Sequence, residues 1–213
     1  MAAKSAEEDL HRFCKLLSHE LRGPAGLLKG YLAMLSDGTL GDLPDQARTA
    51  VDVSYQQSAR LCGMLEHLLL ALQLREDRVA PRRRLVDLAS WLEGRVGEME
   101  PATQLRVEAG PVRAELDTEL IGTALLNLIE NAARVTPFGG AVRVCLRPRD
   151  GRALIDVSDQ GPGLPAGCGQ GLFGEGQESR GRLGLGLFIV RRIAELHGGW
   201  LDLDSTPGGL TAR

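Results

Sequence analysis

Apolar residues recur at alternating spacings of four and three along the first third of the chain, at Leu10, Cys14, Leu17, Leu21, Pro24, Leu28, Tyr31 and Leu35. That rhythm is the seam of a helix packing in a supercoiled bundle, and an alternating strand could not gather the same residues on one side. Ser36 to Pro44 then brings two glycines, turn formers and a proline suited to the start of a new helix, so the chain is expected to reverse there. The rhythm resumes at Ala47, Val51, Ser54, Ser58, Leu61, Leu65, Leu68 and Leu72. Two helices with one seam each cannot enclose a core. Pairing with a second hairpin into a four-helix bundle is the natural solution, and it makes the protein a homodimer.

Within the first helix, His19 lies off the seam. At about 100° per residue it sits roughly 200° from Leu17 and Leu21, which turns it away from the bundle interior. Glu20 adjoins it, close enough to take a proton from an imidazole nitrogen or to hold its tautomer. Gly23, Pro24 and Gly26 follow and weaken the helix beside the histidine, because proline cannot donate to the carbonyl of Glu20 and each glycine costs roughly 1 kcal/mol against alanine.

Composition excludes several classes. A chain of 213 residues with 43% apolar content can hold two modest cores. Its net charge of −3 offers no basic field for nucleic acid or anionic lipid. Cys14, Cys62, Cys145 and Cys168 are scattered, without metal-ligand spacing and without a signal peptide ahead of them, which fits a reducing cytoplasm. No apolar run approaches the roughly 18 residues of a spanning helix. Beyond Leu74, the stretch Arg75 to Arg84 is charged, proline-containing and aperiodic; it reads as a solvated connector. Three regions result: a helical hairpin over 1–76, a linker over 77–84 and a second domain over 85–213.

In that second domain helices alternate with short strands. Val86 to Met99 and Thr118 to Val135 read as helices, Gln104 to Glu108 and Val112 to Leu116 as strands. Ala141 to Pro148 and Arg152 to Ser158 read as a hairpin around Asp150-Gly151. A helix over Leu185 to His197 and a last strand over Trp200 to Leu203 complete an α+β sandwich of mostly antiparallel strands. Three polar clusters exceed what packing requires. Asn127 and Asn131 stand one turn apart with Arg134 beyond them, donors suited to a magnesium ion and phosphate oxygens. Asp159 follows a strand and precedes Gly161 and Gly163, where a flat ring can approach the backbone and an exocyclic amine can meet the carboxylate. Gly181, Gly184 and Gly186 open the last helix, where free amides favour phosphate. No Walker loop and no dinucleotide fingerprint occurs.

In this order the residues resemble the sensor histidine kinases over nearly the whole chain. Ser18-His19-Glu20-Leu21-Arg22 is similar to the phosphoacceptor box of a dimerisation hairpin. Asn127-Leu128-Ile129-Glu130-Asn131-Ala132 resembles the N box, Asp159 to Gly163 the first glycine box, and Gly184-Leu185-Gly186-Leu187 the second, with Glu195 to Gly199 also in its expected place. The resemblance implies a Bergerat-type ATP-binding sandwich after the bundle. It implies that His19 takes the γ-phosphoryl group of ATP and passes it to an aspartate on a response-regulator receiver domain. Glu20 would be general base or orienter, Asn131 the Mg2+ ligand, Asn127 and Arg134 phosphate contacts, and Asp159 the adenine reader. His67 and His197 would be structural. Gly23 stands where the family usually carries threonine or asparagine, which implies a kinase poor at removing phosphate from its partner. The segment between Gly163 and Gly184 is short and glycine-rich, and the chain stops at Arg213 before the family's final strand is expected. A pseudokinase or phosphotransfer scaffold with weakened ATP binding is the alternative these departures leave.

Overall fold

The computed structural model describes residues 20–97, 104–164 and 185–213, and the chain divides into two units, Met1–Arg78 and Val79–Arg213. His19 and Gly184 lie outside the described residues.

The first unit is a helical hairpin. Helix α1 is described over residues 20–36 and continues without a break through Gly23, Pro24 and Gly26. It stops where the Asp37 carboxylate accepts from the Thr39 amide at 2.9 Å and Gly38 takes φ +81°. Helix α2 spans Asp45–Arg75, with Pro44 one position earlier than a first helical residue, at the N-cap. Ser36 ties the turn together by donating to Asp52 at 2.5 Å. In α2 the buried residues are Ser58, Leu65, Leu69, Ala71 and Leu74; Ser58 and Leu65 fall on the predicted seam, and Leu69, Ala71 and Leu74 lie off it. Much of the seam is open in the single chain: Leu21, Leu28, Tyr31 and Leu61 are all exposed. No helix among the described residues is long and apolar enough to cross a membrane.

The second unit is a helix-on-sheet sandwich. Strand β1 (Arg84–Asp87) pairs antiparallel with β3 (Arg113–Leu116) in a two-stranded sheet. A five-stranded sheet takes the order β2-β4-β5-β7-β6 from β2 (Gln104–Ala109), β4 (Ala141–Arg149), β5 (Arg152–Ser158), β6 (Leu203–Thr206) and β7 (Gly209–Ala212). Helices α3 (Leu88–Gly97), α4 (Thr118–Val135) and α5 (Leu185–Leu196) complete it. Between sheet and helices, Val142, Val144, Val157, Leu125, Ile129, Ile189 and Ile193 are almost wholly withdrawn from water. Each such side chain contributes about 1.5–3 kcal/mol.

The β4–β5 hairpin turns at Asp150 (φ 50°) and Gly151 (φ 74°), the double positive-φ turn whose twist matches the flanking strands. The strands are mostly antiparallel, as expected, with β2 running parallel to β4. Three expectations are corrected. Val86 does not open a helix: Leu85 and Val86 pair with Glu115 and Ala114, and the helix starts at Leu88. The strand placed at Trp200 to Leu203 lies at Leu203–Thr206. The final strand is present as β7, seated between β5 and β6, with Ala212 opposite both Val157 and Leu203. Arg213 extends that edge by exchanging two backbone bonds with Asp202, at 2.8 and 2.9 Å.

Candidate nucleotide site

Helix α4 carries the largest share of the predicted site. It starts at Asp117, whose Oδ1 accepts from the amides of Glu119 and Leu120 at 3.0 and 3.1 Å, satisfying donors that a helix N-terminus leaves open. Oδ2 of the same residue accepts from the Arg82 amide at 2.7 Å. Burial pushes this carboxyl up, but the amides of Arg82, Leu120 and Glu119 outweigh it and hold the group below its ordinary range.

Ten residues into α4, Asn127 is 2% exposed. Its Nδ2 donates back to the Thr123 carbonyl at 2.9 Å. Its Oδ1 faces the start of α5, where a Cβ added to Gly186 would lie 3.0 Å away; the Asn131 amide nitrogen would be 3.5 Å from the same point. Two residues one turn apart on α4 and a third more than fifty residues away therefore share one small volume. Only a residue without a side chain leaves that space open. Arg134 joins the group by donating to Asn131 Oδ1.

The second cluster lies at the end of β5. Asp159 accepts through Oδ1 from the Gly161 amide at 2.8 Å and the Leu210 amide at 3.1 Å, while its own amide donates to the Leu210 carbonyl at 2.9 Å. Strand β7, unexpected from the sequence, is thus what fixes Asp159. Gly161 is buried, and a Cβ there would meet Val135 at 2.8 Å, which brings this loop against the end of α4. Gly163 has φ +72°, and a Cβ would fall 2.2 Å from the Thr206 carbonyl, so glycine is required on both counts. Around the second half of α4, Gly186 meets Asn127 and Asn131, Arg134 donates to Asn131, and Gly161 meets Val135. Glu20 is the first described residue of α1 and is exposed, in the other unit.

Sequence reasoning missed Asp117, Val135, Leu210 and Thr206. Asp117 followed by Thr118-Glu119 carried a readable N-cap signature. Leu210 and Thr206 act through backbone atoms, for which no residue type gives a signal. His197, read as structural, accepts from the Asp117 amide through Nε2 at 3.1 Å, and its Nδ1 lies 2.8 Å from the Ile193 carbonyl.

An α/β sandwich with an asparagine-bearing helix, an acid at a strand end and a glycine-opened helix is the arrangement of an ATPase domain. Residues 116–212 match the family described as histidine kinase-, DNA gyrase B-, and HSP90-like ATPase. The chain is 31% identical to the sensor protein DivL of Caulobacter vibrioides over 97% of its own length and 28% of that protein. It is 30% identical to the solved mycobacterial sensor histidine kinase MprB, at a TM-score of 0.55, over 61% of its length and 93% of that structure. Full-length ShkA, solved with AMPPNP, shares the fold at a TM-score of 0.76 and 23% identity, covering 94% of this chain and 44% of that one. The chain belongs to the sensor histidine kinases. It spans less than two fifths of the length of DivL and of the histidine protein kinase DivJ.

Proposed function

We propose that the chain is the catalytic core of an ATP-dependent protein-histidine kinase, with His19 as phosphoacceptor and the surface along α4 as the nucleotide site. The observation that carries this reading is the meeting of Asn127, Asn131 and Gly186, a polar contact between α4 and α5 that only a missing side chain permits.

The donor set suits a magnesium nucleotide. Asn131 Oδ1 is a hard oxygen of the kind Mg2+ takes, and Arg134, which donates to it here, would turn to the phosphates when an ion binds. Among the described residues no cluster of three or more histidines, cysteines or carboxylates gathers, so the remaining oxygens around an ion would come from phosphate and water. Bound there, Mg2+ would neutralise charge on the phosphates. The chain's own residues do the rest. Asp159 Oδ1 is held by two amides, which leaves Oδ2 to accept from the adenine amine. Gly161 and Gly163 let the ring approach the backbone. Asn127 and Arg134 contact phosphate oxygens, and Gly186, in the first turn of α5, offers its amide to the same group.

An imidazole nitrogen of His19 attacks the γ-phosphorus, the bond to the ADP oxygen breaks, and Glu20 orients the ring and receives its proton. Positioning and charge neutralisation supply most of what such a transfer needs. The phosphoryl group then passes to an aspartate of a response-regulator receiver domain. The exposed seam residues Leu21, Leu28, Tyr31 and Leu61 support a homodimer through a four-helix bundle.

The test is incubation of the purified chain with radiolabelled ATP and magnesium. An acid-labile, base-stable label is expected on the wild type and none on His19→Ala; equal labelling of that variant overturns the assignment. Asn131→Ala should lose the label and keep the dimer.

A further inference from the structure

The run Arg82-Arg83-Arg84, which reads as solvated connector, bonds instead to three points at the base of the two site helices. The Arg82 amide donates to Asp117 Oδ2 at 2.7 Å. The Arg83 guanidinium donates to the carbonyl of Leu196, the last residue of α5, at 2.6 Å. The Arg84 guanidinium donates to the hydroxyl of Thr118, the first residue of α4, at 2.5 Å. His197 closes the ring, because the Asp117 amide donates to its Nε2 and its Nδ1 meets the Ile193 carbonyl within α5. The connector, the start of α4 and the end of α5 are therefore one hydrogen-bonded assembly with Asp117 at its centre.

The same two helices meet again where Asn127 faces Gly186. About 14 Å of helix separates Thr118 from Asn127, and about 15 Å separates Leu196 from Gly186. The helices pack along one another, and Leu125, Ile129, Ile189 and Ile193 are each at most 3% exposed. A close-packed core transmits a shift at one end to the other.

We propose that Arg82–Arg84 is a clasp that sets the register of α4 against α5 and thereby holds Asn127, Asn131 and Gly186 in nucleotide-binding geometry. Arg83 and Arg84 are positioning residues through their guanidinium groups and Arg82 contributes its backbone amide, and the importance of the clasp for ATP rests on the nucleotide-site reading above. Linkage then runs both ways: a change in the connector alters nucleotide affinity, and bound nucleotide tightens the connector.

Hydrogen exchange on the whole nucleotide-free chain tests the clasp directly. In the double variant Arg83→Ala/Arg84→Ala, amides of residues 125–129 and 189–190 should exchange about threefold faster or more. The Arg83→Lys/Arg84→Lys pair, which keeps two donors, should restore most of the protection. Arg149→Ala, an exposed arginine at the far end of β4, should match the wild type. Unchanged exchange at both sites in the double alanine variant overturns the proposal. Titration with magnesium-ATP supplies the second readout, with affinity expected to fall about three- to tenfold in that variant, the scale of a few exposed charge-assisted bonds. Faster exchange with unchanged affinity would reduce the clasp to a stability element and overturn the positioning role. A wild type that binds no ATP overturns the nucleotide-site reading instead, and the clasp then stands or falls on the exchange rates alone.

Discussion

Asn127 Oδ1 lies 3.0 Å from the point that a Cβ on Gly186 would occupy, although the two residues are on different helices. Alanine normally strengthens a helix by about 1 kcal/mol over glycine. Here the added methyl would have to push a side chain that is 2% exposed and already bonded to Thr123. Gly186→Ala should therefore leave the melting temperature within a few degrees of wild type while ATP affinity falls about tenfold, because the shift falls on the site and not on the fold. A nucleotide titration beside a thermal melt separates the two effects; unchanged affinity would mean that Asn127 does not line the nucleotide site.

Asp117 gives a pH prediction. Its carboxyl is held below the ordinary value of 3.8: burial raises it, but the amides of Arg82, Leu120 and Glu119 lower it more. A depressed carboxylate contributes stability that is fully present above the unfolded value and is lost as pH falls through the folded one. Wild type should thus lose stability progressively below about pH 3.8. Asp117→Ala should cost about 1–2 kcal/mol near neutrality through the lost cap, and its stability should fall less steeply in acid. Urea unfolding at several pH values between neutrality and about 2 would show it; parallel curves would remove Asp117 as a source of the acid sensitivity.

How far such residues were legible varied with the range of the interaction. The bounds of α4 could be read because Asp117 caps it and Pro137 follows its end, both local signals. The β4–β5 hairpin could be read from Asp150-Gly151 for the same reason. Strand β7 could not: Gly-Leu-Thr-Ala has no alternation, and its place is fixed by pairing with Val157 and Ser158, more than fifty residues away. Leu85 and Val86 look helical beside Leu88 and Leu92 until Glu115 and Ala114 arrive to pair with them. Among the site residues, side chains that do chemistry stood out by type. The backbone of Leu210, which fixes Asp159, left no trace in the sequence.

On the sheet, Asp156 is 4% exposed and accepts from Arg147 on the neighbouring strand and from Arg213 Nε at 2.7 Å. The two arginines are unequal: the side chain of Arg147 is 56% exposed and that of Arg213 26%. Removing the acid breaks both bonds while leaving the two arginines accessible to water, and Asp156→Ala should cost about 2 kcal/mol. Arg147→Ala should cost under about 1 kcal/mol, because solvent screens that partner and Arg213 remains. Chemical denaturation of both variants checks the ratio; equal losses would show that Arg147 alone carries the ion pair.

The proposed homodimer gives the last prediction. Leu28 is 52% exposed and Tyr31 61% exposed in the single chain, yet both fall on the apolar seam of α1 that also contains Leu21 and Leu35. Burying a leucine of this kind contributes about 1.5–3 kcal/mol, and a two-fold bundle would bury it twice. Leu28→Glu places two carboxylates in that interface and should convert the protein to monomer at micromolar concentration. Since the seam belongs to the helical unit, the variant should retain the ATP affinity of the wild type. Sedimentation velocity and a nucleotide titration together test this. A Leu28→Glu protein that still sediments as a dimer would place the interface on another face of the hairpin. A monomer that has lost ATP affinity would instead show that the nucleotide site depends on the bundle.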